Sequence, residues 1–459
     1  MEKRVKPYQL IWLAAVLLVL FMAILLPVFG IGGGAQFEVM THVGLFSPDG
    51  DASVISGSYG IMEGTGAQGF YEACLSALVS LCRGAGTFPI QLLGGIYAII
   101  FLAALYVLLK YLQGARLWVN IAASALVVLV FCDLGYVAYF NSFYQDALSF
   151  VLLFAIAAVV LSMRHEMKWW KLAWFTVLAA AFVFTRKLNC IIGLGLAFAA
   201  VWVVRLPEMQ RLKLASWLCA AVITVSCGVS FFTTPIPAEQ ESKFNAVFYG
   251  ALKDSRNPQA DAAALGLREQ DAGLAGRTAY DEAVFAPDLT DLTYGDITAF
   301  YLTHPSALLR ELKVAANNSY FLTQGYLDYQ QAGAAFGVKK HLALKIWSFL
   351  KRTVIPQGLW VILIFCAAYL GLCIAQARKY HAAEEEKNSV LAGVLAILPA
   401  AALIELVGTV ILTGEAAISR NLFCFGIYFD LMLVSALIWA AHTILDRRHV
   451  MKTKYGVNQ

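Results

Sequence analysis

Long apolar runs alternate along the chain with short basic or polar breaks. Crossing roughly 30 Å of hydrocarbon takes about 17–25 helical residues, and ten runs meet that length, near 9–30, 90–110, 117–140, 147–163, 170–185, 188–205, 214–232, 357–377, 389–412 and 421–443. The pattern predicts an all-α polytopic membrane protein of about ten transmembrane helices. The first run, Leu10 to Phe29, exceeds the apolar core of a signal peptide and lacks an A-x-A cleavage site, so it reads as a retained anchor.

Lysine and arginine in short connections orient the helices, because such residues favour the cytoplasmic side. With Lys3, Arg4 and Lys6 inside, alternate connections carry Lys110 and Arg116, Arg164 with Lys168 and Lys171, Arg205 with Arg211 and Lys213, Arg378 with Lys379 and Lys387, then Arg447 and Arg448. Both termini are thus expected in the cytoplasm, and the two long connections, 31–89 and 233–356, outside. Three regions follow: 1–232, a transmembrane module with the first external loop; 233–356, an external helical subdomain; and 357–459, a second transmembrane module with a cytoplasmic tail. In the subdomain, "KFNAVFYGALKDSRNPQADAAALG" and "HPSALLRELKVAANNSYFL" have helical apolar spacing, and "HLALKIWSFLKRTVIP" reads as an interfacial amphipathic helix. "HAAEEEKN" reads as a solvated charge run.

Composition agrees: 60% of residues are hydrophobic and 14% charged, with a mean hydropathy of +0.69. The net charge of +4 comes from clusters at the ends of apolar runs, which orient helices and form no nucleic-acid footprint. The nine cysteines show no metal-ligand spacing, and most lie in apolar runs as small hydrophobes. Cys74 and Cys82, on one helix, would stand about 12 Å apart, too far for a disulfide. No cofactor is called for, and a divalent metal is left open.

One stretch breaks the apolar pattern. "CDLGYVAYFNSFYQDALSF" (132–150) sets two aspartates, an asparagine, a glutamine and three tyrosines between apolar runs, around a tight external turn at 141–146. Asp146 fits two roles, a helix-start acid complementing the dipole or a catalytic carboxylate. Tyr136, Tyr139 and Tyr144 fit an interfacial aromatic belt or a site. The next external turn, "FTRKLNC", puts Arg186 and Lys187 on the side where basic residues are disfavoured; they either snorkel to headgroups or bind an anion. "TGEAAISRNLF" adds Arg420 and Asn421. Asp133, Glu405 and Asp430 lie inside spans, roughly 10–13 Å below the outer face, as packing residues or as the lining of a wet pocket. Glu38, about two turns beyond the first span, is followed by His42, Asp49 and Asp51, the last two in turn chemistry.

The chain resembles the GT-C superfamily of polytopic glycosyltransferases, which includes protein O-mannosyltransferases and aminoarabinose transferases. Glu38 and "YFNSFYQDALSF" with Asp146 stand at the two positions where those enzymes carry acids. The usual first-loop Asp is absent; Gln36-Phe37-Glu38 replaces it. "KFNAVFYGALKDSRNPQADAAALGL", "FYLTHPSALLRELKVAANNSY" and "SRNLFCFGIYFDLML" are similar to the membrane hexose transferases of Gram-positive surface-glycan pathways. The resemblance implies a GT-C-like inverting enzyme in a bacterial cell membrane. It would take its sugar from a polyprenyl-phosphate donor and pass it to a glycan, lipid or protein acceptor. Asp146 or Glu38 would be the catalytic base. Arg186, Lys187, Arg420, Asn421, Asn141, Tyr139 and Asp133 would contact substrate. The rival reading is a transporter or lipid-linked glycan flippase using Asp133, Glu405 and Asp430 as an ion relay.

Overall fold

The computed structural model describes residues 6–24, 29–31, 36–48, 50, 55–114, 116–206, 210, 212–233, 236–279, 289–322, 329–331 and 344–455. Its helices follow the apolar runs: α1 (Pro7–Ala23), α2 (Gln36–Val43), α3 (Phe70–Cys82), α4 (Ile90–Tyr111), α5 (Leu117–Phe131), α6 (Leu134–Val137), α7 (Gln145–His165), α8 (Trp169–Val183), α9 (Asn189–Trp202) and α10 (Lys213–Phe232). There follow α11 (Ile236–Ala246), α12 (Pro258–Ala264), α13 (Tyr294–Thr303), α14 (Pro305–Asn318), α15 (Ile346–Thr353), α16 (Leu359–Ala382), α17 (Glu386–Leu395), α18 (Ile397–Thr413), α19 (Ile418–Asn421) and α20 (Phe423–Tyr455). Among the described residues six helical segments are long and apolar enough to span a bilayer, with α17 and α18 counted as one; a bent pair makes a seventh, and α1, α8 and α9 are shorter apolar helices. Each predicted run holds one of these elements, while a fourth short apolar helix, Phe70–Leu81 within α3, falls outside the predicted runs. The protein is an all-α polytopic membrane protein.

The third run departs from expectation. In place of a continuous helix over 117–140, α5 stops at Phe131 and the chain bends by 44° into 134–141. Asp133 causes the break: its Oδ1 accepts a hydrogen bond from the Gly135 amide at 2.8 Å, capping α6. A carboxylate in that role satisfies a free helix-start donor that hydrocarbon could not.

Both long connections lie on one face of the bundle. The antiparallel pairing of β1 (Phe29–Ile31) with β5 (Tyr329–Gln331) joins the start of the first to the last third of the second. The first connection also holds a three-stranded antiparallel sheet of β2 (Leu45–Phe46), β3 (Ser58–Ile61) and β4 (Thr87–Pro89). In the second, α11, α13 and α14 pack on α18, and α14 also on α16. Asp49 and Asp51 lie outside the described residues.

The expected interfacial helix is α15, and it is built inside out. Ile346, Phe349 and Val354 near it are exposed while Trp347 and Lys351 are buried. Asp133 accepts from the amides of Trp347 (2.9 Å) and Ser348 (3.1 Å) and from the Ser348 hydroxyl, so one carboxylate caps two helices. Lys351 Nζ meets Asp430 Oδ1 at 2.9 Å with both side chains fully buried. Asp430 Oδ2 accepts from Trp347 Nε1 (2.8 Å) and from the Tyr136 hydroxyl. Glycine is required at 135, because a Cβ there would lie 2.5 Å from Ser348 Oγ.

A second, partly buried ionic group lies between α14, Lys253 and the connection before α19. Arg310 Nε donates to Glu311 Oε1 at 3.1 Å, the other Glu311 oxygen is buried without a hydrogen-bond partner, and Lys253 pairs with Glu415. Burial, reinforced by the charge of Glu415 and opposed by Arg310, raises the Glu311 carboxyl from 4.5 to about 7. The folded chain therefore holds this proton more tightly than the unfolded one. The contribution is complete below about pH 4.5 and is lost as pH rises through about 7. A shift of this size corresponds to roughly 3 kcal/mol. The melting temperature of detergent-solubilised protein should accordingly fall as pH rises across this window, and Glu311→Gln should flatten the fall. Equally steep profiles for both proteins would remove Glu311 as the cause.

Candidate active site

The polar stretch at 132–150 lies inside the protein. Tyr136, Tyr139 and Tyr144 are buried, not spread in an interfacial belt. Tyr136 stacks on Phe150 at 5.0 Å and Tyr139 packs on Phe423 at 4.1 Å. Asn141 donates from Nδ2 to the Ala23 carbonyl at the end of α1 (3.0 Å). A Cβ on Gly94 would collide with the Asn141 side chain, so glycine there makes room for it. The Phe143 amide donates to Gln36 Oε1 at 2.6 Å, and Gln36 Nε2 donates to the Ile31 carbonyl at 2.9 Å. These contacts fix the turn that starts α7.

Asp146 sits in the first turn of α7, where the helix dipole favours a negative charge. Arg186 Nε approaches Asp146 Oδ1 at 3.5 Å. The same guanidinium donates from Nη1 to Glu405 Oε1 of α18 at 3.3 Å and from Nη2 to the Asn421 carbonyl at 2.7 Å. Two carboxylates thus share one planar cation. Burial deepens along the set, with side-chain exposures of 15% for Arg186, 10% for Asp146 and 0% for Glu405. Asp146 Oδ1 is buried and, beyond its 3.5 Å ion pair with Arg186, makes no hydrogen bond.

The arginine is held from both sides of its own turn. Thr185 Oγ1 and Ser149 Oγ are 2.7 Å apart, and Asn189 Nδ2 donates to Thr185 Oγ1 at 2.8 Å. Ser149 lies one turn after Asp146 on α7, so the turn carrying Arg186 is tied to the helix carrying the acid. Asn421 braces the other side: its Nδ2 donates to Thr413 Oγ1 (3.0 Å) and the Ala416 carbonyl (2.9 Å). Ala417, between them, has a left-handed backbone at φ 46°, a strained state for a residue with a Cβ.

Two further cations lie on the same turns. Arg420 lies over the Tyr144 ring at 5.0 Å and donates to Asn421 Oδ1 at 3.3 Å. Lys187 lies over the Tyr294 ring at 4.7 Å, with its ammonium 3.7 Å from Glu239. Of the residues named from sequence, the structure brings together Asp146, Arg186, Arg420, Asn421 and Tyr139, with Asn141 beneath the turn, while the Lys187 side chain turns to Glu239 and Tyr294. It does not bring in Asp133, whose oxygens serve α6 and α15. Glu38 is on the exposed side of α2 with no polar partner among the described residues; the buried Gln36, two residues earlier, touches the Asp146 turn instead.

The three intramembrane acids divide between two networks, Asp133 and Asp430 around α15 and Glu405 on Arg186. Glu405 is the site residue that sequence reading assigned to a different role. Its signal, an acid in a span, could not reveal its partner. Tyr71 of α3 was missed altogether; it is buried by Tyr97, and with burial the largest cause and Asp146 among its neighbours, its phenol is held well above the ordinary value. Among the described residues no three or more His, Cys, Asp or Glu side chains are grouped to hold a metal ion.

Removing Arg186 should expose the cost of this arrangement. Arg186→Met leaves Glu405 buried without a counter-charge, expected to cost about 3–5 kcal/mol, read as lost melting temperature and folded yield. Arg186→Met with Glu405→Gln should recover most of that loss. If the double variant is no more stable than the single one, the two groups are not coupled.

Comparison with known proteins adds the family. A search of curated protein sequences returned no match. Among solved structures, the fold is similar to the crystal structure of the Archaeoglobus fulgidus oligosaccharyltransferase in its apo form, at 14% identity and a TM-score of 0.40. The match covers 98% of this chain and 52% of that one, so the chain spans about half the length of that enzyme. The family model for the YfdI N-terminal transmembrane domain matches residues 1–458, and the chain belongs to that family.

Proposed function

We propose that the protein is a GT-C-type inverting glycosyltransferase that moves a sugar from a polyprenyl-phosphate donor to an acceptor hydroxyl at the membrane face carrying the two long connections. The observation that carries this reading is the buried Asp146 carboxylate at a helix start, ion-paired to Arg186, with Arg420 over the Tyr144 ring of the same turn. A hydroxyl must lose a proton as it attacks, and a phosphate must leave with added charge. The group offers an acceptor for the first and cations for the second.

In this mechanism the acceptor hydroxyl donates to Asp146 and its oxygen attacks the anomeric carbon from the face opposite the phosphate. The new C–O bond forms as the bond to the phosphate oxygen breaks; the proton passes to Asp146 and the electron pair departs on the lipid phosphate. Arg420, with Lys187 as a second cation, stabilises that departing charge. Arg186 holds Asp146 in position through the pair it also makes with Glu405, and so acts as a positioning residue. The carrier's tail suits a membrane-embedded site, and an outer compartment without nucleotide sugars requires a lipid-borne donor. Glycan, lipid and protein acceptors all present the hydroxyl this chemistry requires.

Asp146→Asn keeps size and the helix-start geometry but takes no proton. With purified protein, labelled sugar transfer from polyprenyl-phosphate donors should drop by roughly 100-fold or more while donor binding holds. Full activity in this variant would exclude Asp146 as the base. Arg420→Ala should act differently, weakening donor binding by roughly tenfold or more, the range for one hydrogen bond to a charged group. An unchanged donor affinity in a folded Arg420→Ala protein would remove it from the phosphate site.

A further inference from the structure

Beneath the site, toward the opposite membrane face, the helices do not close on one another. They enclose a cavity of about 390 Å³ between α4, α5, α7, α9, α17, α18 and α20. Along α7 its wall runs from Leu153 to Arg164 and along α20 from Tyr428 to Trp439, a depth of roughly 16 Å at the helical rise per residue. Its deep end is Tyr428, whose hydroxyl is buried without a hydrogen-bond partner. Most of the wall is apolar. Its mouth is polar, where Gln113, Arg164, Glu385 and Asn388 stand.

We propose that this cavity is a site for one anionic glycerophospholipid of the adjoining leaflet, with an acyl chain along the apolar wall and the phosphate on Arg164. A void with apolar walls gives water too few partners, while leaving it empty forfeits packing contacts along every lining side chain. At the roughly 30 Å³ of a liquid water, a volume close to that of a methylene, the space fits about a dozen methylenes. Only a chain-shaped apolar group from the bilayer fits both the walls and the opening.

Charge at the mouth selects the headgroup. Arg164 is exposed and makes no hydrogen bond or ion pair among the described residues, so its planar fork is open to a phosphate. Glu385 is the acid at the mouth, and its carboxylate already accepts from Asn388. Lys387 lines a small adjoining cavity together with Arg164. From the end of α4 to the start of α8 this face carries Lys110, Arg116, Arg164, Lys168 and the buried Lys171 against Glu166, while the connection between α16 and α17 sets Arg378, Lys379 and Lys387 against Glu384, Glu385 and Glu386, so the sum stays positive. That excess favours an anionic lipid over a zwitterionic one. The cavity walls include α7, α18 and α20, so an occupying chain braces the helices that carry Asp146, Glu405 and the residues following Asn421.

Native mass spectrometry of the full-length protein in detergent, with phosphatidylglycerol or phosphatidylcholine added, tests the site. The wild type should retain one phosphatidylglycerol in preference to phosphatidylcholine. Arg164→Gln should weaken phosphatidylglycerol binding about tenfold. Ala157→Trp, which fills the cavity from α7, should abolish retention while keeping or raising the melting temperature; Leu398→Trp does the same from α18 if the first variant fails to fold. Wild-type retention in Arg164→Gln, or in a folded cavity-filled variant, would overturn the proposal. So would co-purification of a polyprenyl phosphate in place of the phospholipid. None of these readouts measures sugar transfer, so failure here leaves the proposed activity standing.

Discussion

The position of the Arg186 guanidinium governs the rest of the candidate site. Its nitrogens reach Asp146 at the start of α7, Glu405 within α18 and the carbonyl of Asn421 before α20. Those partners come from both halves of the chain, so a single planar cation sets the spacing between α7, α18 and the turn before α20 at this depth. A buried charge is tolerated only when paired and hydrogen-bonded. Three directed contacts meet that condition, and each must keep its geometry for the others to be worth having. The surrounding hydrogen bonds of Thr185, Asn189, Ser149, Thr413 and Asn421 follow from it, because a misplaced arginine would leave two acids unpaired.

The same logic recurs elsewhere. Lipid chains are as apolar as leucine, so burying leucine against leucine does little to tell one helix arrangement from another within a bilayer. Polar pairs do, because an unsatisfied one is costly there. Asp133 and Asp430 fasten α15 beneath its apolar outer face through Trp347, Ser348 and Lys351. Arg310, Glu311, Lys253 and Glu415 fasten the second long connection to the turn preceding Arg420. Each network ties an element outside the main bundle to a helix or turn near the candidate site.

The cavity on the other side of the bundle is the complement of this design. Between α7, α18 and α20 the site end is closed by charged and aromatic side chains, whereas the opposite end is left open, with apolar walls behind a polar mouth. Helices splayed in this way require material between them, and in a membrane the surrounding lipid supplies it.

Much of the architecture was legible from residue order alone. Apolar length located ten elements, because a helix must satisfy its own backbone groups in hydrocarbon and twenty-odd apolar residues leave few alternatives. The odd residues were legible too: Asp146, Arg186, Arg420 and the three intramembrane acids stood out by being costly where they lay. What sequence could not supply was pairing. Glu405 and Arg186 are 219 residues apart, and nothing local distinguishes an acid that meets an arginine from one that caps a helix, as Asp133 does, or neutralises a buried lysine, as Asp430 does. Nor could spacing show that Gln36 faces the Asp146 turn while Glu38 faces outward, since that depends on how α2 is rotated against its neighbours. The sequence determined which segments enter the membrane, through a one-dimensional balance of transfer energies; only the tertiary structure decided which charges meet, because electrostatic partnership depends on distance and direction in space.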